Sequence, residues 1–361
     1  MKEVTVPTAS KKYTVFIESG LRHRVGRFLQ DTLVKAPSSV FIISDSNVAQ
    51  RYLTDVINSF ESSIQIYEAV IPSGEASKSF SVYEQLLTKA LESGLDRQSV
   101  IIALGGGVVG DIAGFVAATY MRGVRFIQVP TTLLAHDSSV GGKVAINHAL
   151  GKNMVGAFHQ PEAVLYDTET LFSLPNHEWR SGFAEVMKHG LIRRSDFYQW
   201  LVNEVTSFDG LSTELVNEML ERSIAVKAEI VTEDEKELGI RAYLNFGHTL
   251  GHAIETKLGY GRITHGEAVV IGMVFAMKLS EVVMQTTLPV EQFKAWLHSL
   301  QYQTDIPKEL SAGDLLTVMK KDKKVEAGAI RMVLLRCVGE AVVKEVDDST
   351  LLQAIEKALE G

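Results

Sequence analysis

The sequence predicts an α/β first half, Rossmann-like in character, followed by a mainly helical second half. Two observations carry this. Short β-branched runs alternate with helix-period segments up to about residue 175, and beyond Pro175 helix-period segments take over. A third is a strand, glycine-rich turn and helix in succession, SVIIALGGGVVGDIAGFVAATY. Strand and helix in alternation require a mostly parallel sheet, because parallel neighbours need a crossover between them.

Taken in order, TVFIE (14–18), SVFIIS (39–44), SIQIYEAVI (63–71), SVIIAL (99–104) and VRFIQV (124–129) read as strands. Segments 22–34, 46–59 and 78–93 read as the helices between them. The second half reads as helices at 177–194, 196–204, 212–232, 245–258, 265–284, 290–300, 311–320 and 349–359, with a strand pair near 329–346. The expected division is therefore an α/β domain at 1–175 and a mainly helical domain at 176–361. A chain of 361 residues is long enough for two such cores.

Composition narrows the function. A formal net charge of −8 argues against nucleic acid or an anionic membrane as a general partner, so cations for an anionic substrate must be gathered locally. The single cysteine, Cys337, excludes an internal disulfide and a cysteine zinc cluster, and reads as a small apolar filler in VLLRCV. The N-terminal stretch has no signal-peptide pattern and no apolar run is long enough to span a bilayer, which together suggest a cytoplasmic protein.

Two segments carry chemistry. Gly105, Gly107 and Gly110 satisfy G-x-G-x-x-G between a strand and a helix, whose first amides suit a pyrophosphate. No acidic residue closes the next strand, where a usual Rossmann domain binds ribose; Asp45 and Asn47, after VFIIS, are candidates from an earlier crossover. The turn SGEASK (73–78) adds Glu75 and Lys78. Further on, Arg241, Asn245, His248, His252 and Glu255 recur at helical spacing and are expected on one helix face, with Phe246, Leu250 and Ile254 on an apolar stripe. Gly247 and Gly251 leave a strip where another element could come close. His265 follows in HGEAV, and by spacing alone His248 and His252 would pair as metal ligands.

The motifs LGGGVVGD (104–111), VPTTLLA (129–135), DSSVGGK (137–143), GKNMVGAF (151–158), GFAEVMKHG (182–190), NFGHTLGHAIE (245–255) and HGEAV (265–269) occur in this order. With them the chain resembles, over essentially its whole length, the 3-dehydroquinate synthase family of the sugar phosphate cyclases. The resemblance implies a lyase of the shikimate pathway, which serves chorismate and aromatic amino acid biosynthesis. It would convert 3-deoxy-D-arabino-heptulosonate 7-phosphate to 3-dehydroquinate and phosphate through transient oxidation by NAD, phosphate elimination, re-reduction and aldol closure. It further implies NAD, one divalent metal (zinc, possibly cobalt) and a homodimer.

Residue by residue, the resemblance gives the metal to Glu185, His248 and His265, and sets His252 beside it for substrate contact or proton transfer. It gives NAD to Asp45, Asn47, Ser73, Gly74, Glu75, Lys78, Gly106, Gly107, Val108, Gly110, Asp111, Thr131, Thr132, Leu134, Lys143, Lys152, Thr170, Ser173 and Leu174. Substrate falls to Arg122, Asp137, Lys143, Lys152, Asn153, Lys188, Lys227, Arg241, Asn245 and one or both of Lys323 and Lys324. Two departures stand out: TLLAHD is one residue shorter than the commoner TLLAQVD before Asp137, and Ser173 stands where many relatives have Thr. Independently of the resemblance, Glu185 and Lys188 lie three apart on one predicted helix face. Lys227 likewise interrupts the apolar stripe Val216, Leu220, Ile224, Val231. The rival readings are another cyclase such as a 2-deoxy-scyllo-inosose synthase, a metal-dependent polyol dehydrogenase, and a silent NAD- and metal-binding module.

Overall fold

A computed structural model describes residues 1–259, 261–322 and 330–360. It resolves into two compact units, Met1–Leu174 with Ser212–Lys236, and Pro175–Leu211 with Glu237–Gly361.

The first unit holds β1 (Lys2–Pro7), β2 (Lys12–Glu18), β3 (Ser39–Asp45), β4 (Gln65–Ile71), β5 (Val100–Gly105), β6 (Arg125–Pro130), β7 (Lys143–His148), β8 (Gly151–Phe158) and β9 (Ala163–Asp167). Seven of these form one sheet in the order β1-β2-β9-β6-β5-β3-β4, while β7 and β8 pair separately. All neighbours in the large sheet are parallel except β1 with β2. Phe41, Ile43, Ile101 and Phe126 pack into the core on one face, and Val40, Ile42, Val100 and Ile102 into the core on the other. A sheet covered on both faces explains why these strands read as unbroken apolar runs.

From β3 the chain steps to β4 on one side, then crosses back to β5 on the other. That reversal opens a crevice at the carboxyl ends of β3 and β5, where doubly wound sheets bind ligands. Asp45 closes β3 and the glycine turn closes β5, with Ser44 paired to Leu104 in register. Asp45 thus stands at the end of β3, the strand beside β5 and two strands from β6. Helix 46–59 is present with a wide turn at Ala49–Leu53 between Ser46–Val48 and Thr54–Asn58. Strands β1, β7, β8 and β9 go beyond those expected from sequence.

The helix Thr213–Glu233 belongs to the first unit, not to the 176–361 region expected from chain order. Its stripe Val216, Leu220, Ile224 and Val231 is buried, and Glu221 pairs with Lys2 of β1 at 2.7 Å. An excursion of this kind leaves no composition change behind, so chain order alone misassigns it.

The second unit is a helical assembly with one hairpin, β10 (Ile330–Cys337) and β11 (Glu340–Val346). Its core gathers Leu250, Ile254, Ile271, Phe275, Leu334 and Leu351. Cys337 is exposed at the end of β10, with Sγ 3.8 Å from Glu340, and does not fill the core as expected. The register shift between Leu335 and Cys337 turns it outward. No helix among the described residues is long and apolar enough to cross a membrane.

Candidate active site

In the first unit, the turn after β5 is shaped by what a side chain would strike. A Cβ on Gly106 would meet Thr132 at 2.9 Å, one on Gly107 would meet Ser138 at 3.0 Å, and one on Gly110 would meet Gln128 at 2.8 Å. Gly106 opens the helix Gly107–Thr119 without a side-chain cap, so the amides around Val108 stay available to an anion. Beside it the Thr131 hydroxyl is buried without a hydrogen-bond partner among the described residues, a group that a bound ligand would satisfy. These features fit a dinucleotide.

A polar network flanks the turn. Buried Lys78 donates to Asp111 at 2.6 Å and to the side chain of Asn153, with Glu75 3.8 Å away. Burial pushes the Asp111 carboxyl up, against the pull of Lys78. Asn147, which no motif marked, donates to Glu75 at 2.8 Å and accepts from the Asn153 amide at 2.9 Å, holding Asn153 at φ 56. Asp45 accepts through one oxygen from the Asn47 and Val48 amides, capping its own helix. The Ser73 amide donates to Ser46 at 3.3 Å, with Gly74 left-handed at φ 102. The Thr170 hydroxyl donates to Asp167 and that of Ser173 to Thr170, both within their own turn, which Leu174 ends.

Two of the expected substrate residues meet here: Lys227 lies 3.0 Å from Asp137 and also donates to its carbonyl. Within the shortened segment His136 is fully buried, its ring nitrogens facing the Leu133 carbonyl and the Ser223 hydroxyl. Leu134 stands partly exposed just before it. Lys143 and Lys152 stand on β7 and β8, and Arg122 is exposed in a left-handed turn at φ 66.

The second unit holds the imidazoles. The helix Asn176–Arg193 carries Glu185 and Lys188, both almost fully buried and paired to each other through Glu185 Oε2. The other oxygen, Oε1, is buried and makes no well-aligned hydrogen bond among the described residues, with His248 Nε2 at 3.4 Å and His265 Nε2 at 3.6 Å. One ring nitrogen of each of His248, His252 and His265 lies within 4.8 Å of the others. A carboxylate oxygen without a donor, facing two imidazole nitrogens, is a donor set that a divalent cation completes. Glu185 so joins the two His, whereas spacing alone pairs His248 with His252.

Burial would raise Glu185, but Lys188 and His248 hold its carboxyl well below the usual range. Burial pushes His248 down to about 4, leaving it in the neutral, ligating form. Burial opposes the charge on His265 too, yet Glu185 and Glu255 raise it to about 9.

Local backbone explains the placement. The helix His248–Leu258 begins after Gly247 at φ 82, and Arg241 and Asn245 lie before it in the tight turn Ile240–Asn245. The expected single face of five residues is thus broken, because helical counting ran straight through a left-handed glycine. A Cβ on Gly247 would meet Val269 O at 2.7 Å, and one on Gly251 would meet Ala268 O at 3.1 Å. The glycines let the helix His265–Met284 approach closely and bring His265 to His248. Arg241 is buried, and Asn245 donates to Glu237 at 3.2 Å, a carboxylate in no recognised motif. Lys323 and Lys324 lie outside the described residues.

Residues 68–181 match the family model described as 3-dehydroquinate synthase N-terminal, and 182–325 match 3-dehydroquinate synthase C-terminal. The 3-dehydroquinate synthase of Halalkalibacterium halodurans is 57% identical over 360 residues, covering 100% of this chain and 99% of the relative. That of Shouchella clausii is 54% identical over 358 residues, covering 99% of each. Among solved structures, a 2-deoxy-scyllo-inosose synthase complexed with carbaglucose-6-phosphate, NAD+ and Co2+ superposes with a TM-score of 0.89. It is 26% identical and covers 99% of this chain and 100% of its own. The fold is thus that of the sugar phosphate cyclases, and likeness running the full length at this identity makes the chain a member of the 3-dehydroquinate synthase family.

Proposed function

We propose that this chain is a 3-dehydroquinate synthase, converting 3-deoxy-D-arabino-heptulosonate 7-phosphate to 3-dehydroquinate and inorganic phosphate. The observation that carries the reading is Glu185 Oε1, buried without a donor and facing His248 and His265, in a chain 57% identical to a named synthase. Glu185, His248 and His265 would hold one divalent ion, zinc or cobalt; the cyclase neighbours carry Co2+ or Zn2+ with NAD+. The turn at Gly106–Gly107, with Thr131, Asp45 and the Lys78–Asp111 pair, would hold NAD.

When bound, NAD supplies a hydride acceptor and donor, and the metal supplies Lewis acidity. The chain's own residues do the rest. Lys188 neutralises Glu185 Oε2 and leaves Oε1 for the ion. In the first unit, buried Lys227 would offer a cation to an anionic group of the substrate, with Lys152 and Asn153 on β8 and Lys143 on β7 as further candidates; in the second unit, buried Arg241 would offer another. Asp137 fixes the Lys227 ammonium, and Glu237 fixes the Asn245 amide. We assign proton transfer at the substrate to His252, whose ring centroid is 5.3 Å from that of His248 and whose ring also lies within reach of the ion. Family membership also supports a cytoplasmic homodimer, which sedimentation of the purified chain would check.

The test supplies the heptulosonate phosphate, catalytic NAD and zinc. Equal amounts of phosphate and dehydroquinate, with no net NADH, are expected. Net NADH from an alcohol without phosphate release would make the chain a polyol dehydrogenase. Preferential turnover of glucose 6-phosphate would make it another cyclase.

A further inference from the structure

We propose that Glu255 is a positioning residue that holds the His265 ring for metal binding and thereby sets this chain's affinity for its divalent ion. The inference rests on the reading of Glu185, His248 and His265 as ligands. Glu255 lies on the helix His248–Leu258, two turns after His248 and on the same face. It is buried, and a buried carboxylate is costly unless it is paired or hydrogen-bonded. Its Oε2 stands 2.9 Å from His265 Nδ1, while Nε2 of the same ring stands 3.6 Å from Glu185 Oε1. In the neutral ring that binds a metal, Nδ1–H donating to the carboxylate leaves the lone pair on Nε2, the nitrogen that faces Glu185. A carboxylate behind a ligating imidazole fixes the tautomer and raises the donor strength of the ring.

The two ligand histidines differ in this respect. His248 Nδ1 faces the backbone carbonyl of Phe246 at 3.2 Å, a partner that no side-chain substitution removes. His265 depends on Glu255. Its backbone is held independently: Thr264 and Glu267 form a reciprocal cap at the helix start, Arg180 binds Glu267 at 2.9 Å, and the Gly266 amide donates to Ser181 at 3.3 Å. The chain at His265 is thus held by groups other than Glu255, and loss of Glu255 should leave the fold in place.

The experiment uses the full chain as wild type, Glu255→Ala, Glu255→Gln and His265→Ala. Zinc affinity is read by competition with a chromophoric chelator, ligand geometry by the visible spectrum of the Co2+-loaded protein, and folding by the melting temperature without metal. Glu255→Ala should weaken zinc about 10–100-fold and change the Co2+ spectrum, with the metal-free melting temperature little moved. Glu255→Gln, which keeps an acceptor but not the charge, should fall between it and wild type. Should the alanine variant not fold, the glutamine variant decides. Zinc affinity within about twofold of wild type and an unchanged Co2+ spectrum for the folded variants overturn the proposal. If His265→Ala binds zinc as tightly as wild type, the ligand set itself is wrong. Failure confined to the Glu255 variants leaves that set standing.

Discussion

The glycine turn after β5 and the imidazole cluster of the second unit are built in opposite ways. The turn is made of backbone: its amides stay open because Gly106 has no capping side chain, and its shape is defined by where a Cβ cannot go. The cluster is made of side chains: a carboxylate oxygen without a donor and three rings on two helices. The first is damaged by adding atoms and the second by removing them. The difference predicts separable failures.

The largest effect belongs to the cluster. His265→Ala should empty the metal site and lower dehydroquinate formation about 10^3-fold, since Lewis-acid stabilisation is worth several kcal/mol. NAD affinity should stay near wild type. Metal analysis and NAD titration of the same sample check both, and retained metal at full occupancy breaks the comparison.

Next comes the reverse experiment. Gly106→Val should weaken NAD about 10–100-fold, because the added atoms strike Thr132 at a cost of about 1–3 kcal/mol. Zinc content should not change; loss of zinc in step with NAD would show that the two sites do not fail separately.

Lys227→Ala removes the partner of Asp137 from a mostly buried pair and should lower stability by about 1–3 kcal/mol. It should also raise KM for the phosphorylated substrate more than it changes NAD binding. Denaturant melts and steady-state kinetics separate the two.

The smallest effect is in pH. Half-buried His159, stacked on Phe126 in the first unit, is held below its ordinary pKa by burial. The folded state then disfavours the charged ring. Its contribution to stability is fully present above the unfolded value of 6.5 and is lost as pH falls from there toward the folded value. Melting temperature should drop over that range, and less steeply in His159→Gln. Identical slopes would remove His159 from the account.

What the sequence made legible follows the same division. Strands β3, β5 and β6 were readable because a sheet buried on both faces leaves continuous apolar runs. β1 pairs at the sheet edge with only Val4 and Val6 buried, too weak an alternation to stand out. β7 and β8 are not among the strands read from the sequence, and β8 coincides with the glycine-bearing motif GKNMVGAF. Helical spacing found the histidines but extended their helix across Gly247, whose positive φ no periodicity reveals. Glu185 came from resemblance, since a ligand on another helix has no spacing to betray it. Asn147 and Glu237 were missed because their roles exist only through the partners they fix, Asn153 and Asn245.

One contact has a reach beyond chemistry. A Cβ added at Gly272 would fall 1.9 Å from the carbonyl oxygen of Gly247, so here two main chains touch with nothing between them. Evolution has little room to tinker at that seam. In a saturation screen for growth without aromatic supplements, Gly272 and Gly247 should tolerate replacement as poorly as the histidines. The reason is mechanical: wedging the seam apart would misalign the tools while leaving every one of them in the box.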